Sequence, residues 1–215
     1  MATSKQKRAT RPDAKRSPAK RVAIIGAATE LFLKGGYVGT SVDQVAARAG
    51  VAKQTVYEHF GSKEQLFKEL VARTIDQGAQ PFLDRIVELE ETDNLEASLL
   101  ELAQELIAVI KQPRLLELRR LVIGEVRRFP ELGRVYYERG PGRTIDVLAS
   151  RFERLSERGL LRVGDVQLAA EEFNWLVLSI PINRAMFEPR TRFSDEELAR
   201  WAREAVRIFL AANHA

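Results

Sequence analysis

SVDQVAARAGVAKQTVYEHFGSK, residues 41–63, sets out two short helices about a tight corner. Ser41 followed by Gln44 is a capping box: the Ser hydroxyl accepts from the N–H of Gln44, the Gln44 side chain accepts from the N–H of Ser41, and a helix starts. Val42, Val45, Ala46 and Ala49 then share one apolar stripe. Gly50 can enter the left-handed region without a Cβ penalty, which ends the helix after about two turns. Val51 plugs the corner. A second helix runs from Lys53 to Phe60, with Val56 and Phe60 at i and i+4 turned inward. Its outward face is Lys53, Gln54, Thr55, Tyr57 and His59.

That face combines an ammonium, an amide, a hydroxyl, a phenol and an imidazole, nearly all able to donate a hydrogen bond. Such a set suits phosphates and base edges. A solvated surface is the commoner fate of a short polar helix. Here the glycine corner, the two inward stripes and a second capping box at Ser62 and Gln65 occur together, which favours a DNA-reading helix-turn-helix.

Residues 28–67, AxxLFLKGGYxGTSVDQVAARAGVAKQTVYEHFGSKEQLF, resemble the TetR/AcrR transcriptional regulators. The family's recognition-helix pattern is met by Lys53, Gln54, Thr55, Tyr57, His59 and Phe60. The resemblance further implies a phosphate-contacting Lys63 and backbone contacts from Thr40 and Ser41 ahead of the first of the two helices. One position departs from the pattern: Ala52 stands where the family commonly has Ser, so the recognition helix lacks a side-chain N-cap worth about 1 kcal/mol.

The rest of the chain is consistent with this centre. With 45% hydrophobic residues in 215, it can bury a sizeable core in one or two domains. It has no Cys, so disulfide and thiolate chemistry are excluded, in keeping with a reducing cytoplasm. There is no secretory-type apolar run at the N-terminus and no uncharged stretch of membrane-span length, so a cytoplasmic protein with no membrane partner is expected. The net charge of +4 is unevenly placed: residues 1–21 carry eight basic groups against Asp13 alone, leaving the remainder slightly acidic. Residues 1–20 therefore read as a disordered basic arm, suited to nucleic acid or serving only solubility.

An all-α fold is expected throughout, because no alternating run is long enough to argue for a sheet. Val22, Ile25, Ala28 and Phe32 mark a supporting helix from Arg21, stopped by Gly35 and Gly36. A helix from Ser62 to about Gln77 carries Leu66, Phe67, Leu70, Val71 and Ile75. Pro81 opens the next helix. Further helices span residues 95–111, 113–129, 135–158 (interrupted by Gly140-Pro141-Gly142 and stopped at Gly159) and 165–187, with a final one opened by the capping box at Ser194 and Glu197. Residues 1–20 are thus the arm, 21–78 a helix-turn-helix DNA-binding domain, and 79–215 a helical ligand-binding and dimerisation domain. Residues 119–143, RRLVIGEVRRFPELGRVYYERGPGR, resemble the second domain of an AefR-like subset of the same family.

Catalysis lacks parts. The only two His are His59 and His214, and the adjacent Glu pairs point about 100° apart on a helix, so no triad, metal site or paired-carboxylate site is expected, and no cofactor. On residues 165–187, Phe173, Asn174, Trp175 and Pro181 mix polar groups into an apolar stripe, and Glu125 sits among Val122, Ile123 and Val126. These five are candidate effector-pocket residues; ordinary packing around a proline kink is the other reading. Trp201, Ala205, Ile208 and Phe209 form part of a stripe wider than one core contact requires, so they are candidates for a dimer interface. The expected partners are double-stranded DNA at a near-palindromic operator, a second copy of the chain, and an apolar or amphipathic small molecule. The resemblance implies a repressor; a non-specific architectural DNA-binding protein and an activator are the alternatives.

Overall fold

The computed structural model describes residues 17–213. Most of the expected basic arm lies outside the described residues, as does His214. Among them are ten α-helices and no β-strand, as the sequence patterns predict. The chain divides into two compact units, Met1–Leu70 and Val71–Ala215.

In the first unit α1 (Pro18–Gly39), α2 (Val42–Ala49), α3 (Lys53–Phe60) and the start of α4 (Lys63–Glu88) enclose one small core. Pro18 occupies the first turn of α1, where its missing N–H costs nothing and its fixed φ favours the helix. The helical path breaks at Gly36 (φ 69°, ψ 178°), as the glycine pair predicts, although a last turn resumes as far as Gly39. By length and composition alone α1 is apolar enough to cross a membrane, although Lys20, Arg21, Glu30 and Lys34 lie along it. Its Ile24, Ile25, Ala28 and Phe32 are instead buried in the unit's own core. The rings of Phe32, Tyr37 and Phe67 lie 5.0–5.9 Å apart and close that core.

Gly50 adopts the left-handed conformation (φ 66°, ψ 34°) at the corner. The N–H of Val51 donates to Ala46 and that of Gly50 to Ala47, the paired bonds of a Schellman motif, which satisfy carbonyls the helix end would otherwise orphan. Ser41 and Gln44 form both bonds of the capping box. Gln65 N–H donates to Ser62 Oγ at the start of α4.

Within the second unit lie the remainder of α4, α5 (Leu95–Ile107), α6 (Pro113–Glu125), α7 (Pro130–Tyr137), α8 (Arg143–Glu157), α9 (Val166–Phe187) and α10 (Asp195–Asn213). The caps fall where side chains can supply them: Asn94 for α5, Asp165 for α9, and the reciprocal pair Ser194 and Glu197 before α10. A π-helical turn, Glu138–Gly142, fills the interruption expected at Gly140-Pro141-Gly142.

Pro81 is the main departure. It lies inside α4 rather than opening a new helix, and Gly78 does not end one. Leu83, Ile86 and, in the following 3-10 turn, Leu89 are buried in the unit's core, so tertiary packing carries the chain through a proline that local propensity would treat as a break. Gly78 instead makes room: a Cβ there would stand 2.6 Å from a terminal methyl of Leu115 on α6.

Phe152, Phe173 and Phe209, from α8, α9 and α10, form an aromatic knot with centroid separations of 5.1–5.8 Å, worth about 0.5–1.5 kcal/mol per pair beyond area burial. This corrects two site expectations. Phe173 is core rather than pocket lining, and Phe209, with Ala205, is buried inside its own chain and has no surface left for a second copy.

Candidate nucleic-acid interface and ligand cavity

The short helix α3 is held from behind by apolar and cationic contacts, and its polar residues are left outward. Val56 and Phe60 are buried. Arg21, counted from sequence among the arm's charges, serves the fold: it pairs with both carboxylate oxygens of Glu69, donates to the His59 carbonyl at 3.3 Å and stacks 4.9 Å over the Phe60 ring. One basic residue thereby ties α1, α3 and α4 together. Ala52 makes no side-chain cap, so the start of α3 rests on backbone bonds such as Thr55 N–H to the Ala52 carbonyl.

Lys53, Gln54 and Tyr57 are exposed on the outer face of α3, while Thr55 and His59 are partly covered. The Lys53 ammonium is not left to solvent: it lies 3.0 Å from Asp43 on α2. That hydrogen bond first, and the Asp43 charge second, hold the lysine above its ordinary value of 10.5. Lys63 sits with its ammonium 4.3 Å from the centre of the Tyr37 ring, a cation–π contact that aims it from the start of α4. Sequence reading missed both Asp43 and Tyr37 as positioning residues. The only sequence hints are an acidic residue in the first turn of α2 and an aromatic residue beside the glycine pair.

Ser41 is exposed at the α2 N-terminus, with its hydroxyl accepting from Gln44 N–H. Thr40 departs from the expectation of a backbone contact through its side chain. It is buried, and its hydroxyl lies 2.9 Å from the Gly36 carbonyl and 3.0 Å from that of Leu31, so it closes the C-terminal end of α1.

In the second unit a cavity with an empty volume of about 830 Å³, mouth included, opens among α4, α5, α6, α9 and the π-turn. Of the five pocket candidates, Asn174 and Trp175 line it. Phe173 and Pro181 are buried in or behind α9, and Glu125 is half-buried away from the cavity. The sequence reading missed Arg119, Tyr136 and Gln112, whose alignment on the same wall is a product of how α6 and α7 pack. Burial raises the Tyr136 phenol above its ordinary value against the opposing charge and hydrogen bond of Arg119. Among the interface candidates, Ile208 is exposed and Trp201 half-buried against Phe193. Further exposed apolar side chains lie on α9: Leu168, Leu176, Ile180 and Phe187.

Comparison with known proteins agrees with this anatomy. Residues 24–70 match the model described as bacterial regulatory proteins, tetR family, and residues 97–215 match that of the AefR-like transcriptional repressor C-terminal domain. A TetR-family transcriptional regulator from Mesorhizobium loti MAFF303099 is 42% identical, with 93% of this chain and 100% of that one superposed at a TM-score of 0.88. The flavonoid-responsive regulator FrrA is 27% identical over 92% of this chain and 98% of its own, at a TM-score of 0.71. The uncharacterised HTH-type transcriptional regulator YezE of Bacillus subtilis strain 168 is 25% identical over 150 residues, 68% of this chain and 75% of its own. Family and relatives are transcriptional regulators rather than enzymes. A helix-turn-helix with an outward polar recognition face, followed by an all-helical second unit, is the TetR-family arrangement, and the chain belongs to the TetR family of transcriptional regulators.

Proposed function

We propose that this regulator is a cytoplasmic homodimeric repressor that binds a near-palindromic operator through α3 and leaves it when a small molecule occupies the second unit. The DNA-binding domain is assigned to residues 21–78 and the ligand-binding and dimerisation domain to residues 79–215. The observation that carries the reading is the outward placement of Gln54 and Tyr57 beside Lys53 on a helix whose other face is anchored by Val56, Phe60 and Arg21. In this reading Gln54 and Tyr57 reach base edges, Lys53 and Thr55 bases or nearby phosphates, and Ser41, His59 and Lys63 the backbone.

Dimerisation is assigned to α9 and α10. Leu168, Leu176, Ile180 and Phe187 recur at i+8, i+4 and i+7, which places them on one face of α9, and their exposure, together with that of Ile208 on α10, supports a second copy as the occupant. Two recognition helices related by a two-fold axis then meet successive major grooves roughly 34 Å apart. Release by a ligand is supported by the cavity, and by the likeness to a regulator whose name describes it as flavonoid-responsive.

Sequencing the DNA that co-purifies with the protein tests the reading directly. The expected result is enrichment of a near-palindrome bound well above its scrambled duplex. A ratio of specific to scrambled affinity near one would instead indicate a non-specific architectural protein.

A further inference from the structure

Asn174 is the one strongly polar side chain in the described core that combines near-complete burial with two unsatisfied ends. It is 1% exposed, it faces the α4–α5–α6–α9 cavity, and neither its amide N–H groups nor its carbonyl oxygen has a hydrogen-bond partner in the protein. Buried amides are normally paired, because each unpaired end retains its full desolvation penalty. A leucine would fill the same position without that penalty. The amide therefore asks for one acceptor and one donor from whatever enters the cavity.

A second group on the same wall points the same way. Arg119 lines the cavity, its Nε is buried without a partner, and no carboxylate pairs with it among the described residues. Its guanidinium lies 6.0 Å from the centre of the Tyr136 ring, which also lines the cavity. That guanidinium also hydrogen-bonds the Tyr136 phenol, which leaves the buried Nε as the donor without a partner, and a carboxylate suits a cation with a donor to spare. The carboxylate in the cavity lining, Glu105, is already held 3.0 Å from Arg85. The remaining walls, Phe82, Leu115, Trp175 and Leu178 among them, are apolar or aromatic.

We infer that the cavity is built for a hydroxylated aromatic acid: a ring seated against Trp175 and Tyr136, a carboxylate on Arg119, and a ring hydroxyl that donates to the Asn174 carbonyl and accepts from its amide. This inference rests on the proposal that the second unit binds an effector, and it names the effector's chemical class.

The test uses the full chain and a matched set of probes: 4-hydroxycinnamate, its O-methyl ether, its methyl ester, and the neutral hydrocarbon trans-stilbene. Affinity is read by calorimetry and by quenching of Trp175, with a Trp201→Phe background to isolate it. The expected order has 4-hydroxycinnamate tightest, with the ether and the ester each weaker by about tenfold or more, the loss typical when a buried polar group is left unpaired. Asn174→Leu should bring the hydroxy acid and its ether within about twofold of each other. Arg119→Met should do the same for the acid and its ester. Melting curves of both variants without ligand report whether they fold, and Asn174→Asp serves as a second variant that keeps a polar group but abolishes the amide donor.

Equal binding of all four probes by the unmodified chain would overturn the inference, as would tightest binding of trans-stilbene or no binding of either acid at millimolar concentration. Operator affinity is measured alongside. An acid that binds with the expected selectivity yet leaves operator affinity unchanged supports the ligand class while counting against effector-driven release. Release by trans-stilbene with no acid binding supports effector control and overturns the ligand class.

Discussion

The outward residues of α3 make separable contributions, because base contacts discriminate between sequences and phosphate contacts do not. Gln54→Ala should relax preference at one operator position, at a cost of about 1–3 kcal/mol if Gln54 contacts adenine bidentately. Competition binding with single-position operator variants measures it, and an equal loss on operator and random DNA would remove Gln54 from base reading. Asp43 offers the opposite prediction. Its carboxylate holds Lys53 and adds negative charge where phosphates must approach, so Asp43→Asn should tighten binding to specific and random DNA alike, and only slightly, because the pair is exposed. The sign of the pH dependence is also set. Lys53 is raised by its partner, so this pair's contribution is fully present below the ordinary lysine value of 10.5 and is lost only as pH rises through the higher folded value. Binding measured between about pH 6 and 9 should show no titration traceable to Lys53.

At the scale of elements, α3 is the helix with the clearest local defect. Ala52 has the extended backbone of an N-cap (φ −71°, ψ 147°) but no side chain to fill the role. Ala52→Ser should stabilise the protein by about 1 kcal/mol, seen as a raised melting temperature. Should the new hydroxyl also meet a phosphate, operator affinity will rise with it. On α9, Leu176 and Ile180 are exposed on the face assigned to the dimer and take no part in the aromatic knot of their own chain. Leu176→Glu with Ile180→Glu should therefore give a folded monomer in sedimentation, with unchanged helix content by circular dichroism and loss of palindromic binding. A dimer that survives this double change places the interface elsewhere.

For the whole molecule, charge distribution decides how DNA is first held. Residues 22–78 balance six basic groups against six acidic ones, while seven basic groups precede Arg21. Arg21 itself is committed to Glu69, and Ser17 with Pro18 begins α1, so the deletion that leaves the helix intact removes residues 1–16. It should flatten the slope of log affinity against log salt by several units per dimer, at roughly 0.9 per phosphate no longer neutralised, and weaken specific and non-specific binding by similar factors. An unchanged slope would mean that the arm does not touch DNA. A ligand acts by its different affinities for the free and DNA-bound states, so an effector that lowers operator affinity must itself bind more weakly when operator is present, by the same factor. Titrations of the ligand with and without operator check that equality.

Much of this molecule is local and was therefore written in its sequence. Capping boxes, a glycine at a left-handed corner and apolar stripes at helical spacing act within a few residues of one another, so Ser41, Gln44, Gly50, Asp165, Ser194 and Glu197 could be assigned their places before any packing was known. The exposed face of α3 followed from the same periodicity. What depended on distant partners was not legible. Pro81 reads locally as a helix start, and only burial of Leu83 and Ile86 carries α4 through it. Phe173 and Phe209 look like site residues until Phe152 arrives from α8. Asp43 beneath Lys53, Tyr37 beneath Lys63, and Arg119 beside Tyr136 on the wall shared with Asn174 are pairings across elements. Helical periodicity says which residues share a face, whereas the neighbour that covers the face is chosen by packing, and that choice belongs to the tertiary structure alone.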